Sequence, residues 1–168
     1  WRDWSSDVCS SDLVTVHHLS FGRAVKEIAS HYFTNMYNQS VKNRKLLTRI
    51  GTSFRSIDAD VWVRVVENEI NALGDDQWIV VDDVRYENGA RMLLSKGFQL
   101  VALIIPECVR LQRIVNTYGH DWKEHIDTSS RHENERFMDK HIGMVNHILT
   151  HDNDIEAFLK YMVMANID

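Results

Sequence analysis

The stretch at 78–91, WIVVDDVRYENGAR, gathers Asp82, Asp83 and Arg85 within four positions. Two adjacent carboxylates are hard oxygen donors of the kind that hold a hydrated Mg²⁺. An arginine two positions on offers a planar fork that matches a phosphate. The alternative is structural, since either aspartate can cap a helix that follows. Two further arginines, Arg110 and Arg113, stand three apart, so on a helix they share a face. His120-Asp121 and His151-Asp152 form a second set of groups able to ligate a metal.

Ile79, Val80 and Val81 form a β-branched run of strand length, followed by helical spacing over 87–96 and a Gly97 C-cap. QLVALII at 99–105 is a second apolar strand, closed by Pro106, the single proline. Two such strands around a short helix predict a βαβ unit in a parallel sheet covered on both faces. Ligands of such sheets collect at the carboxyl ends of the strands, where Asp82 and Asp83 emerge. Upstream, VTVHHL predicts a strand over 14–19, with Ser20 able to cap a helix over 21–33 through Ala24, Val25, Ile28, Ala29 and Tyr32. Residues 34–45 read as loop and helix start. The segment 44–50 then leads to a Gly51-Thr52 turn, with Arg55 exposed before the next helix. Asp58 or Asp60 can cap that helix, whose apolar face is Val61, Val65, Val66, Ile70 and Leu73, and Gly74 ends it. Trp62 reads as a core aromatic ahead of a wall beside a base, and Lys26 as a surface residue. Residues 118–135 are polar and histidine-rich, which predicts a flap. A short strand over 145–149 and an amphipathic helix over 154–164 (Ile155, Phe158, Leu159, Met162) close the chain.

A chain of 168 residues, 44% hydrophobic and 26% charged, has the composition of one ordinary globular domain. No apolar run approaches the roughly 20 residues that span a bilayer, so no membrane partner is expected. A net charge of −5 argues against a nucleic-acid surface spread over the whole molecule, while 12 Arg to 7 Lys leaves room for local arginine clusters. Two cysteines, Cys9 and Cys108, do not make a disulfide framework, which points to a cytoplasmic setting. WRDWSSDVCSSDL at 1–13, with its near-duplicate SSDV/SSDL and no amphipathic period, resembles a sequencing-library adapter translated as coding DNA. It is set aside as non-native, leaving a single domain over 14–168, with native sequence before Val14 expected to be lost.

Three blocks resemble the deoxynucleoside monophosphate kinases of tailed phages and their bacterial relatives, within the P-loop nucleoside-monophosphate kinase group. LSFGRAVKEIA is similar to the family's second strand and following helix. KLLTRIGTSFRSIDADVWV matches its L-x-x-x-GT-x-x-R-x-x-x-x-x-x-W segment, and IVVDDVRYENGARMLLSKGFQLV its strand, D-V-R-[FY]-x-N-E-A turn, helix and strand. RHENERFMDKH through HDNDIEAFL is a weaker likeness to the lid (H-x-S-E) and the closing helix. The resemblance implies an α/β fold, a three-layer P-loop-type parallel sheet flanked by helices, here without its first strand and phosphate loop. It implies ATP-dependent phosphorylation of a deoxynucleoside monophosphate with Mg²⁺, and it is compatible with a homodimer. Asp82 and Asp83 would then serve the metal, and Arg55 and Arg85 the acceptor phosphate, which the backbone at Gly51 and Thr52 would approach. Arg110 and Arg113 would reach toward the transferring phosphoryl group, and His132 and Glu135, with Arg131, would close over the nucleotide; Asp82, Arg85 and Arg113 carry the catalytic roles.

The departures from that family are specific. No Gly-x-x-x-x-Gly-Lys-[Ser/Thr] occurs in the chain, Gly89 stands for the usual glutamate after Asn88, and Asn134 for the serine of H-x-S-E. The 168 residues are therefore expected to show little kinase activity and low stability, because an absent central strand leaves sheet edges open. A non-catalytic, kinase-like nucleotide-binding scaffold is the alternative that needs no such loop. The His-Asp pairs resemble the H…HD…D ligand sets of metal-dependent phosphohydrolases, but those enzymes are essentially all-helical, whereas WIVVDD and QLVALIIP read as strands.

Overall fold

Parallel strands need a crossover between them, and two such strand pairs organise this chain. The computed structural model describes residues 15–37, 43–74, 77–123, 141–150 and 152–165. Among them are six α-helices and two separate two-stranded parallel sheets, an α/β composition. The chain divides into two compact units between Val84 and Arg85.

The first unit runs β1 (Val16–Ser20), α1 (Arg23–Tyr32), α2 (Arg44–Ile57), α3 (Val61–Leu73) and β2 (Trp78–Asp82). Asn43 caps α2, its side chain accepting the Leu46 N–H at 3.0 Å. Val25 and Ala29 on α1, Leu46 and Ile50 on α2, and Trp62 on α3 form a buried cluster, joined by Ala24, Ile28, Tyr37, Leu47 and Val61 at its margin. The α1 pair and the α2 pair are each spaced by four residues, so one stripe of each helix faces inward.

The Gly51-Thr52 turn does not form: both residues lie inside α2, with Gly51 buried. The apolar period of Leu46, Leu47, Ile50 and Phe54 runs across the glycine, and the burial of Leu46 and Ile50 outweighs the roughly 1 kcal/mol that an interior glycine costs a helix. Trp62 is a core residue. Its Nε1–H donates to the Gly51 carbonyl at 3.1 Å, and its ring lies 5.3 Å from that of Phe54. Asp60 holds the N-cap position of α3 without a side-chain bond; instead Asp58 accepts the Asp60 N–H at 3.0 Å and pairs with Arg64. Gly74 ends α3 at φ +81°, a conformation that suits glycine.

β1 and β2 pair in parallel register, Val16 with Trp78 through Ser20 with Asp82. Val16 and Val80 are exposed, so this ladder is not covered on both faces as the apolar runs predict.

The second unit contains α4 (Glu87–Ser95), β3 (Val101–Leu103), α5 (Glu107–Tyr118), β4 (His147–Leu149) and α6 (Asp152–Ala165). Single 3₁₀ turns stand at Gly119–Asp121 and Ile142–Met144. Gly89, Ala90, Met92 and Leu93 are buried on α4, and Gly97 at φ +82° follows it. β3 pairs in parallel with β4, Val101 opposite His147 through Leu103 opposite Leu149. Asn146 anchors the start of this ladder: its Oδ1 accepts the Leu100 N–H at 2.7 Å, and its own N–H donates to the Leu100 carbonyl at 2.9 Å. At the far end the Ile104 N–H reaches the Leu149 carbonyl at 2.8 Å.

Among the described residues β2 takes β1 as its partner and β3 takes β4, so the hydrogen-bonded pairs are not the two strands that flank α4 in sequence. Each pair has its own crossover, α1 to α3 for the first and α5 for the second, so both meet the connection requirement. The apolar run at 99–105 contributes only three strand residues because its partner β4 is three residues long. Residues 1–14, and those of the predicted flap from 124 onward, lie outside the described residues.

Candidate functional site

The last rung of the β1–β2 ladder sets Ser20 opposite Asp82, at the carboxyl ends of both strands. Alternation along a strand puts His18, Ser20, Val80 and Asp82 on one face of this pair. His18 is therefore the diagonal neighbour of Asp82, and its Nε2 lies 3.0 Å from Asp82 Oδ2. A carboxylate only accepts, so the imidazole donates here. The other oxygen, Asp82 Oδ1, is buried and has no hydrogen-bond partner among the described residues. A carboxylate oxygen withdrawn from water without a donor or cation is costly, which marks this atom.

Asp83 follows at φ +58°, the only positive value at a described residue other than glycine. Aspartate tolerates the left-handed region better than most side chains. The turn brings its carboxylate to β1, where Ser20 Oγ donates to Asp83 Oδ2 at 3.2 Å and accepts the Gly22 N–H at 3.3 Å. Ser20 thus bridges strand ends and does not cap α1; the N-cap position belongs to Gly22, which makes no side-chain cap bond. A Cβ at Gly22 would stand 2.9 Å from Asp83 Oδ2, closer than real Cβ atoms come, and 3.7 Å from Lys26 Cε. With φ at −85°, Gly22 is needed for close approach and not for its torsion.

Of the residues singled out from the sequence, the fold joins Asp82 and Asp83 in this corner. Arg55 stands in the last turn of α2, its Nη1 3.5 Å from a Cβ built on Gly51, and Thr52 is exposed on the same helix. Arg85 is exposed and opens the second unit. On α5, Arg110 Nε donates to Glu107 at 2.7 Å, and that hydrogen bond holds the Glu107 carboxyl below its usual range; Arg113 is exposed one turn on. His132 and Glu135, together with Arg131, lie outside the described residues, as does His151.

His18, Ser20 and Gly22 belong to this corner although no chemical motif of the sequence points to them. Their signal is weak: His18 and Ser20 are polar positions within a short strand, and only the β1–β2 register brings them to Asp82 and Asp83 across more than 60 positions.

The donors here are of the hard-oxygen kind that Mg²⁺ takes. Two carboxylates and a hydroxyl are hard oxygen ligands, one carboxylate oxygen lacks a partner among the described residues, and Mg²⁺ typically takes one or two carboxylates and keeps several waters. Among the described residues no group of three or more His, Cys, Asp or Glu is arranged to hold a metal ion. None of the six described helices is long and apolar enough to cross a membrane. Compared with known proteins, the chain matches no family model, no curated protein and no solved structure.

Proposed function

We propose that this chain carries the acceptor side of a deoxynucleoside monophosphate kinase, whose intact form transfers a phosphoryl group from ATP to a deoxynucleoside monophosphate. The observation that carries this reading is the pair Asp82 and Asp83 at the carboxyl end of a parallel strand pair, one of them with a buried oxygen that has no partner among the described residues. Asp82 and Asp83 would hold the hydrated Mg²⁺, with the Ser20 hydroxyl beside them. The bound ion supplies neutralisation of the negative charge on the phosphates. Arg55 and Arg85 would bind the acceptor phosphate, each able to form a bidentate bond. By the family resemblance, Arg110 and Arg113 would act on the transferring group. His132 and Glu135 would cover the nucleotide. The catalysis asked of these residues is positioning and electrostatic stabilisation, with no covalent step on the protein.

The test uses the chain joined to an upstream segment bearing a Gly-x-x-x-x-Gly-Lys-[Ser/Thr] loop, recovered from an independent clone. Arg85→Ala should raise KM for the monophosphate while the fold survives, and Asp82→Asn should weaken metal-dependent turnover. Unchanged monophosphate binding and turnover in Arg85→Ala would sink the assignment. The 168-residue chain alone should show no robust phosphorylation of any deoxynucleotide. The alternative reading is a kinase-like scaffold that binds nucleotide without transfer. A start codon directly before that of Val14 in the independent clone would select it.

A further inference from the structure

Most helices of this chain set a carboxylate beside each arginine or lysine. Arg23 on α1 pairs with Glu27 and Glu69, Arg91 on α4 with Glu87, Arg110 on α5 with Glu107, and Lys160 on α6 with Glu156. On α3, Arg64 pairs with Asp58, just ahead of the helix. Among the described helices α2 alone has no carboxylate. It holds Arg44, Lys45, Arg49 and Arg55, a charge of +4 in a chain whose net charge is −5. Lys45 and Arg49 are both exposed and stand four apart, so they share one face, with Arg44 exposed beside them. Neither Lys45 nor Arg49 has an ion-pair partner among the described residues. The opposite stripe, Leu46 and Ile50, is buried against Val25, Ala29 and Trp62.

We infer that the outward face of α2 is a docking surface for the phosphate backbone of duplex DNA, bound without regard to sequence. A basic stripe along one helix is the electrostatic footprint of such a partner. Lys45 and Arg49 stand about 6 Å apart along the axis, and each can neutralise a phosphate and release its counterions. The exposed Ser53 hydroxyl, one turn past Arg49, is of the kind that contacts phosphate and sugar. Such contacts fix position on a duplex and read no bases, hence the indifference to sequence. Three other anionic partners fit less well. Single strands are held by aromatic rings that stack on bases, and the one aromatic of α2, Phe54, lies against Trp62. A membrane-surface helix needs a free apolar face, and that of α2 is in the core. Protein interfaces have an apolar centre, whereas Lys45, Arg49 and Ser53 are polar. Lys45 and Arg49 take no part in the acceptor site proposed above, so the inference stands apart from that reading.

The experiment uses the 168-residue chain, purified free of nucleic acid, and a short fluorescein-labelled DNA duplex whose binding is read by anisotropy. Lys45→Gln/Arg49→Gln removes both charges of the face, and Lys45→Arg/Arg49→Lys keeps them. Arg91→Gln/Lys160→Gln removes two charges from α4 and α6 instead. Far-UV circular dichroism checks the helices of each variant. Wild type should bind duplexes of unrelated sequence alike, and the charge-keeping pair should match it. On B-DNA each cation contributes about 0.9 to the slope of log affinity against log salt, so Lys45→Gln/Arg49→Gln should flatten it by about 1.8. Over an approximately fourfold rise in salt, wild type should then lose about ten-fold more affinity than that variant. Arg91→Gln/Lys160→Gln should keep the affinity and slope of wild type. The inference is overturned if wild type binds no duplex. It is equally overturned if the Lys45/Arg49 and Arg91/Lys160 neutral pairs weaken alike, which reports net charge and no local surface. Tighter binding of a single strand of the same length, or anionic lipid vesicles held through Lys45 and Arg49 as firmly as the duplex, overturns the assignment of the partner.

Discussion

Gly22→Ala tests whether the corner at the ends of β1 and β2 is held as described. At φ −85° and ψ −8° alanine fits the backbone without strain. On that ground alone the change should stabilise the chain by about 0.4–1 kcal/mol through the unfolded state. The new Cβ, however, would stand 2.9 Å from Asp83 Oδ2. That atom ends a short side chain on a residue already at φ +58°, and the Ser20 hydroxyl donates to it at 3.2 Å. The carboxylate must therefore swing away, and the cost is the loss of a hydrogen bond to a charged group, about 1.5–3 kcal/mol. Ser20 and Asp83 are only half-buried, so the lower end applies. The net expectation is a destabilisation of about 1 kcal/mol, against the usual sign for this substitution.

A second background isolates the cause. Asp83→Gly removes the carboxylate and suits the positive φ, so in that background Gly22→Ala should stabilise by about 0.4–1 kcal/mol. The four proteins form a double-mutant cycle, read from urea midpoints by far-UV circular dichroism, with a coupling of about 1.5 kcal/mol expected. If Gly22→Ala stabilises both backgrounds equally, the contact between Gly22 and Asp83 does not exist and the description of the corner is wrong.

Three other changes follow from the fold. Trp62→Phe keeps the ring in the core but removes the Nε1–H that the Gly51 carbonyl accepts, and should cost about 1–3 kcal/mol by urea unfolding; no loss would show that the bond contributes nothing. Asn146→Ala leaves the N–H of buried Leu100 without its acceptor and should cost a similar ~1–3 kcal/mol, whereas Asn146→Asp should retain most of it. Glu87 accepts hydrogen bonds from Arg91 and from His141, which hold its carboxyl below the usual 4.5. A depressed folded-state value makes its contribution fully present above about pH 4.5 and lost as pH falls through the lower folded value. Carboxyl NMR titration should place the Glu87 midpoint below 4.5, and Arg91→Ala should raise it more than His141→Ala does; the reverse order would overturn the ranking of partners.

Local spacing was enough to place α1, α3, α4 and α6, but not α2. The four-residue intervals of Trp62, Val66 and Ile70 on α3, and the Gly97 stop after α4, are near-neighbour features that depend on the 3.6-residue period and on the torsional freedom of glycine. The presence of two carboxylates at the end of a strand is legible for the same reason: Ile79 to Asp83 is one contiguous run. Gly51 shows where local reading stops, because a Gly-Thr pair carries the letters of a turn while both residues lie inside one continuous helix.

Tertiary structure alone decided which strand lies beside which. Strand pairing depends on non-local register, and an apolar run of three to five residues fits more than one partner; β2 pairs with β1 and β3 with β4, where sequence order predicts β2 and β3 flanking one crossover. That choice assembles the corner. Asp82 and Asp83 were visible as carboxylates, but the His18 donor, the Ser20 bridge and the space beside Gly22 come from a segment some 60 positions away, brought to them by a five-rung parallel register.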